Sequence, residues 1–257
     1  MGSEMCIRDR HLVWTVPQMI PWSTAEAARP GAIHLRVFQS NVSQTNNDLR
    51  GIAEEIASDH PDVVVLEELR PANLASIEAT HVLDRFPWHL VVTDQTSLGM
   101  GLWSAVPAQG LERWDVPLHP ELRAWLQPPG GPRVRLYAVH TLAPVGADQP
   151  ALWKVQLAGI RAALSTEPKP LVVVGDLNAT WDHRQFQSIL HLGLHDAAVV
   201  AGRGWEMTWN RQNPIIPPVI RIDHVLVSRG VRVGGIRLGQ GRGSDHRTIV
   251  ADLEVNP

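Results

Sequence analysis

Four apolar runs in this sequence end on polar side chains, and two later clusters carry the same residue types. The clearest is Leu171-Val172-Val173-Val174, short and β-branched, bounded by Pro170 and Gly175 as a buried strand should be. It runs out on Asp176-Leu177-Asn178. Asp176 and Asn178 project from one face of a sheet for as long as the backbone stays extended, offering a carboxylate and an amide. Gly, Asp and Asn are equally the residues of an ordinary turn closing a core strand, so this stretch alone decides nothing.

The pattern recurs. Ile33, Leu35, Val37 and Gln39 alternate with His34, Arg36, Phe38 and Ser40 before Asn41, and Val63-Val64-Val65-Leu66 runs into Glu67-Glu68. Arg133 to His140 alternates up to its histidine, Asp223-His224 lies within the apolar stretch 220–227, and Gly243-Ser244-Asp245-His246 precedes the last strand. A single strand-end Asp or His is most often a satisfied turn or core residue. Burying this many carboxylates and imidazoles without mutual partners would cost on the order of several kcal/mol each, so they are expected to converge. Carboxylates and amide oxygens are hard ligands suited to Mg²⁺ or Mn²⁺. Histidines beside carboxylates can carry charge and hydrogen-bond a phosphorus centre. No cysteine cluster or His-x-x-x-His helix argues for zinc. Phosphate-binding loop, nucleophile elbow and dinucleotide fingerprint are all absent, which removes support for kinase, serine-esterase and dehydrogenase readings.

Strands and helices must alternate to hold such a set. Leu49, Ile52, Ala53 and Ile56 recur at helical spacing, with Asn46 or Asn47 as the expected cap. Further helices are predicted over 71–85, over the Trp153, Leu157, Ile160, Leu164 stripe, and over 182–191. Strands are predicted over 88–93, 219–227, 231–238 and 248–255, with short strands between the Pro-rich and Gly-rich pieces of 105–132. Strand, amphipathic helix, strand is an α/β signature.

Composition agrees with one globular domain: 44% hydrophobic, 19% charged, and no linker-like stretch in 257 residues. A formal net charge of −3 supplies no global basic field for nucleic acid, which would need a local basic patch or a metal. The ten tryptophans are scattered without period and are read mostly as core, with one or two lining a cleft. Cys6 is the only cysteine, so no internal disulfide forms; that suits the cytosol without excluding an extracytoplasmic location. Residues 1–10 read as translated adaptor sequence, residues 11–32 as a strap or the juxtamembrane end of a membrane anchor, and 33–257 as the domain. The apolar stretch 11–22, broken by Pro17 and Pro21, is too short to span a bilayer.

Phe38-Gln39-Ser40-Asn41, the stretch from Pro61 to Leu69, Val139-His140-Thr141, Val174-Gly175-Asp176-Leu177-Asn178, Ile222-Asp223-His224-Val225 and Gly243-Ser244-Asp245-His246 together resemble the endonuclease/exonuclease/phosphatase superfamily. This fold is shared by DNase I, abasic-site exonucleases, inositol-polyphosphate 5-phosphatases and bacterial sphingomyelinases. The resemblance implies a four-layered α/β sandwich, two mostly antiparallel sheets packed face to face and flanked by helices. It implies Glu68 as the metal carboxylate with Asn41 as its amide companion, and Asp245 in or next to the metal's ligand set. By the same resemblance Asp176 orients or deprotonates the attacking water, and Asn178 hydrogen-bonds phosphate or nucleophile. His246 contacts the scissile phosphate, Asp223 orients it, and His140 is a second phosphate-contacting histidine. The activity implied is Mg²⁺- or Mn²⁺-dependent phosphodiester hydrolysis by a monomer, nuclease-like, with nucleic acid among the candidate substrates. A phosphomonoesterase or a phospholipid-headgroup (sphingomyelinase-like) hydrolase on the same site is the alternative; a non-catalytic binding module keeping the fold is the alternative of another class. Ala105 stands where bacterial relatives often carry Arg, and Val42 follows Asn41 where several nuclease branches differ. The segment from Trp205 to Trp209 and the stretch Pro214 to Pro218 resemble the last loop of a bacterial group often preceded by membrane helices.

Overall fold

The computed structural model describes residues 18–21, 30–117, 119–212, 215 and 217–256, so Cys6, residues 1–10 and most of 11–32 lie outside the described residues. The chain opens with β1 (Ile33–Asn41), α1 (Arg50–Asp59), β2 (Val63–Glu67), α2 (Pro71–Glu78), β3 (Trp88–Val92) and β4 (Met100–Ser104). It continues through β5 (Ala108–Val116), β6 (His119–Leu126), β7 (Val134–His140), α3 (Gln149–Leu164), β8 (Leu171–Asp176) and α4 (Arg184–Leu190). The last elements are β9 (Leu194–Asp196), α5 (Ala197–Val200), β10 (Asp223–Ser228), β11 (Val231–Leu238) and β12 (Ile249–Val255).

Two six-stranded sheets result, ordered β11-β12-β1-β2-β4-β3 and β5-β6-β7-β8-β10-β9. Each holds one parallel pair, β1 with β2 and β7 with β8, among otherwise antiparallel neighbours. A parallel pair needs a crossover, which α1 and α3 supply. Parallel register also brings two strand ends to one edge: Asn41 pairs with Glu67, and His140 with Asp176.

Strand alternation sorts side chains into three apolar layers. Leu35, Val37, Val63 and Val65 meet Leu136, Val172, Val174 and Val225 between the sheets. On the outer face of the second sheet, Trp153, Leu157, Ile160 and Leu164 of α3 and Phe186 of α4 cover Tyr137, Val139 and Val173. Ile52 and Ile56 of α1 and Ile77 of α2 cover Phe38, Val64 and Leu66 of the first. The four-layered sandwich is the architecture expected, and each fully buried aliphatic side chain contributes about 1.5–3 kcal/mol to it. Among the described residues no helix is long and apolar enough to cross a membrane.

Several local expectations are corrected. Helix α1 starts at Arg50, and it is the Asp48 carboxylate that accepts from the Arg50 N–H, while Asn46 Oδ1 accepts from the Asp48 N–H two residues earlier. Helix α2 ends at Glu78 instead of reaching 85, because Thr80 bonds back to the Ile77 carbonyl and His81 turns left-handed at φ 59°. The strand predicted over 219–227 begins only at Asp223; Ile220 makes an isolated bridge to Trp209. The tryptophans follow the expectation: Trp103 and Trp153 are buried, Trp88, Trp114 and Trp181 pack partly buried against the core, and Trp209 lines a cleft.

Gly175 is required by close approach. A Cβ there would stand 1.8 Å from the Val139 carbonyl oxygen and 3.0 Å from Glu67 Oε1, at a φ of 142°. Gly146 also has positive φ, 81°, but nothing within 4 Å of its would-be Cβ. In urea titrations, Gly175→Ala should lose about 3 kcal/mol or more, whereas Gly146→Ala should lose about 1 kcal/mol. Equal losses would mean that backbone conformation alone selects glycine at 175.

Candidate active site

The site lies at the edge where both parallel pairs end. Asp176, the last residue of β8, pairs across the ladder with Asp223, the first of β10. Both carboxylates are buried. His246, delivered by the loop before β12, stands against them: its Nδ1 is 2.9 Å from Asp223 Oδ2, and its Nε2 is 3.8 Å from Asp176 Oδ2. The second Asp223 oxygen accepts from Gln39 Nε2 at 3.0 Å. That Gln39 amide also bonds Glu67 Oε2 at 3.0 Å.

Electrostatics follows from this packing. Burial opposes the charge on Asp223, but His246 with Thr208 and Gln39 outweighs it and holds the carboxyl below its ordinary value. Burial opposes the imidazolium too, yet Asp223, then Asp176 and Asp245, raise His246 to about 10. Burial and the Asp223 charge push Asp176 up to about 8, in spite of His246 and the amides of Asn178 and Asn41. Burial, reinforced by Asp223 and Asp176, keeps Glu67 protonated well above the usual carboxylate range.

A second oxygen cluster adjoins the first. Asn41 Nδ2 lies 3.1 Å from Glu68 Oε1 and 3.1 Å from Asp176 Oδ2, so two carboxylates converge on one amide. Strand β2 stops at Glu67, one residue before the expected ligand; Glu68 then adopts φ 59° and turns its carboxylate to Asn41 and to the Gln44 N–H. Asn178 likewise does not continue an extended strand. It sits at φ 46°, its N–H on Asp176 Oδ1 at 2.8 Å and its Nδ2 on the Thr141 carbonyl at 2.8 Å. Asp245 accepts from Trp209 Nε1 at 2.9 Å.

These groups border a cleft of about 480 Å³. Glu68, His140, Asp176, Asn178, Asp245 and His246 line it. Asn41 and Asp223 lie beneath, reaching the cleft through the groups they bond. The sequence reading thus brings all eight residues to one place, and it passed over four others: Gln39, Glu67, His119 and Glu121. His119, first residue of β6, packs edge-on against His140 with ring centroids 4.7 Å apart. Burial lowers both imidazoles to about 3, with His140 adding to the effect on His119 and His246 to that on His140. Glu121 Oε2 accepts the His140 N–H at 2.7 Å. His119 and Glu121 were hidden in a Pro-rich stretch that shows no clean alternation.

Two groupings could hold a cation. One ligand atom each of Asp176, Asp223 and His246 lie within 4.8 Å of one another, although the Asp223–His246 hydrogen bond already occupies that pair. Glu68, Asp176 and the Asn41 amide form the all-oxygen alternative, once the amide turns its oxygen toward the carboxylates. Hard oxygen donors fit Mg²⁺ or Mn²⁺ better than zinc.

Residues 35–246 match the sequence model described as "Endonuclease/Exonuclease/phosphatase family". No curated protein matches the sequence. Among solved structures, the D. rerio TDP2 complexed with single strand DNA product is similar at 20% identity and TM-score 0.68, over 86% of this chain and 98% of that one. An endonuclease/exonuclease/phosphatase from Beutenbergia cavernae is similar at 22% identity and TM-score 0.64, over 87% of this chain and 72% of that one. The 3' phosphatase NExo from Neisseria, bound to product DNA hairpin, is similar at 20% identity and TM-score 0.65, over 84% and 98%. At these identities the likeness establishes the shared fold.

A raised carboxyl pKa stabilises the fold fully below the ordinary value and loses that contribution as pH rises through about 8, where Asp176 ionises opposite Asp223. A divalent cation held beside Asp176 by Glu68 and Asn41 would restore the positive charge that the lost proton takes away. The thermal upshift given by Mg²⁺ or Mn²⁺ should therefore be small at pH 6 and large at pH 8.5, with affinity rising about tenfold per pH unit below 8. Calorimetry across that range checks this, and a pH-independent upshift would contradict it.

Proposed function

The chain belongs to the endonuclease/exonuclease/phosphatase family, and from that premise we propose that it is a divalent-metal-dependent phosphodiester hydrolase acting in the cleft at Asp176 and His246. The observation that carries this reading is the Asp223–His246–Asp176 arrangement: a charged imidazole and a raised carboxyl side by side on one cleft wall.

Each group has a task suited to its surroundings. Asp176 accepts the proton of the attacking water; a base whose pKa lies near neutrality is both deprotonated often enough and basic enough to serve. Asn178 holds Asp176 Oδ1 through its N–H, fixing the direction in which the other oxygen faces. His246 presents Nε2–H to a phosphate oxygen, because Nδ1–H is committed to Asp223. Neutral His140 hydrogen-bonds a second oxygen without adding charge. Glu68 and Asn41, with Asp245 nearby, would hold the Mg²⁺ or Mn²⁺. Bound there, the ion supplies neutralisation of the charge that builds on phosphate. The DNA products in the D. rerio TDP2 and Neisseria NExo structures make nucleic acid one candidate substrate for this chain.

Hydrolysis of bis-p-nitrophenyl phosphate with Mn²⁺ tests the reading. Asp176→Asn and His246→Ala should each lower kcat about 10³-fold or more while circular dichroism and melting remain those of a folded protein. Near-normal turnover in either variant removes that residue from the chemistry. Glu68→Gln should raise the half-saturating metal concentration about tenfold or more; an unchanged requirement would take Glu68 out of the metal site.

A further inference from the structure

We propose that His224 is a positioning residue for the hydrolytic base: by holding the Ala179 carbonyl it fixes the turn through which Asn178 directs Asp176. The inference rests on the hydrolase reading above and adds to it a residue that does not line the cleft.

Strand β10 opens with Asp223 and His224, whose side chains leave it on opposite faces. Val225 and Val227 share the face of Asp223 and pack between the sheets, while Leu226 shares that of His224 and joins the outer layer with Phe186 and Ile189 of α4. Asp223 thus turns to His246, and its neighbour to the turn that follows β8. His224 is buried, with the Phe186 ring tilted against it at 4.4 Å between centroids. Its Nδ1 stands 2.6 Å from Asp196 Oδ2 and its Nε2 2.8 Å from the Ala179 carbonyl oxygen. A carbonyl can only accept. Burial opposes the charge on Asp196, but His224, followed by Arg221 and the Ala198 N–H, outweighs it and keeps the carboxyl below its ordinary value, so this oxygen accepts as well. The ring therefore donates from both nitrogens, in charge-assisted bonds that tie Ala179 to β9 through β10.

The tie matters because of where Ala179 sits. Asn178, one residue before it, has φ 46°, a left-handed conformation that persists only where its surroundings over-determine it. The entry to the turn is held at Leu177, whose N–H bonds the Ile222 carbonyl at 3.0 Å and whose own carbonyl accepts from Thr141 Oγ1 at 2.7 Å and Trp153 Nε1 at 3.1 Å. The exit is held by His224 on the Ala179 carbonyl and by His183 Nδ1 on the Thr180 N–H at 2.9 Å. Between entry and exit lies the Asn178 N–H, 2.8 Å from Asp176 Oδ1. Ala179 is fully buried, so water cannot take the place of a donor lost from its carbonyl. The turn would then relax to find another, carrying the Asn178 N–H away from Asp176. A misplacement of about 1 Å at a reacting group costs on the order of 10²-fold in rate. Asp223 and His224, side by side in the chain, in this way orient the two halves of the site: one sets the imidazole, the other the base.

The full chain with Mn²⁺ and bis-p-nitrophenyl phosphate tests this, assayed well below the melting point of every variant. His224→Asn places an amide N–H where Nδ1 stands, keeping Asp196 and giving up Ala179; His224→Gln places one where Nε2 stands and does the reverse. Val227→Ala, which removes buried methyl groups from the opposite face of the same strand, lowers stability without touching the turn. His224→Asn should lower kcat about tenfold to a hundredfold with KM within about twofold, and His224→Gln should restore kcat to within about threefold of the parent. Val227→Ala should melt earlier and turn over as the parent does. Parent-like kcat in His224→Asn, or equal losses in the Asn and Gln variants, would leave His224 a purely structural residue and overturn the proposal. Amide exchange over residues 177–181, read by mass spectrometry, follows the turn itself: protection should fall in His224→Asn and persist in His224→Gln. If His224→Asn does not fold, His224→Leu paired with Asp196→Ser, apolar at the ring and still capping α5, takes its place with the same expectations. If the parent hydrolyses no diester, the hydrolase reading fails instead, and amide exchange decides the positioning claim alone: protection lost with the Ala179 donor supports it, and unchanged protection overturns it.

Discussion

Two buried carboxylates, Asp176 and Asp223, face each other across neighbouring antiparallel strands, and much of this molecule is arranged around that unfavourable pair. Like charges directly opposite in a sheet destabilise it, and burial makes the repulsion larger. Three devices offset it. His246 supplies positive charge to both, Asp223 is committed to a hydrogen-bonded anion, and Asp176 retains a proton. Gln39, bridging Asp223 to a protonated Glu67, extends the same solution toward the space between the sheets. A cation placed beside this pair would take over the part that the proton on Asp176 plays.

Topology makes the arrangement attainable. A parallel pair in each sheet directs Asn41 with Glu67, and His140 with Asp176, toward one edge, while antiparallel β10 enters at that edge with Asp223. Packing the sheets face to face then closes the distance between the two sets: Asn41 of the first sheet reaches Asp176 of the second at 3.1 Å. Gly175 is the condition for that approach, because the Val139 carbonyl and Glu67 carboxyl occupy the space that any side chain would need. At this edge the sheet backbone places Asn41, His140, Asp176 and Asp223, and the adjoining loops place Glu68, Asn178, Asp245 and His246.

Much of this was legible in the chain. Asn41, His140 and Asp176 could be found because an apolar run that stops on a polar residue is a local pattern, and His246 because Ser244-Asp245-His246 precedes a clear last strand. Other features depend on contacts that a linear pattern does not encode. Glu68 is swung to Asn41 by a left-handed backbone, without the Gly or Asn that ordinarily announces one. Asn178 reaches the cleft by a turn, not along an extended strand. His119 and Glu121 acquire their place only when β6 pairs with β7, and nothing local separates them from their Pro-rich surroundings.

Three of the four histidines lining the cleft, His119, His140 and His246, divide the charge unequally. His246 faces Asp223 and is raised to about 10; His119 and His140 face each other, with no carboxylate on either ring, and are lowered to about 3. One imidazolium is therefore set against Asp223 in the same hydrogen-bonded pair, leaving the carboxylates of Glu68 and Asp245 without a cation from the cleft lining. A phosphate entering this site alone would meet one imidazolium whose charge Asp223 already matches, beside the carboxylates of Glu68 and Asp245. By electroneutrality, a phosphate held at this edge would call for a cation beside it, independently of any role such an ion would have in a chemical step.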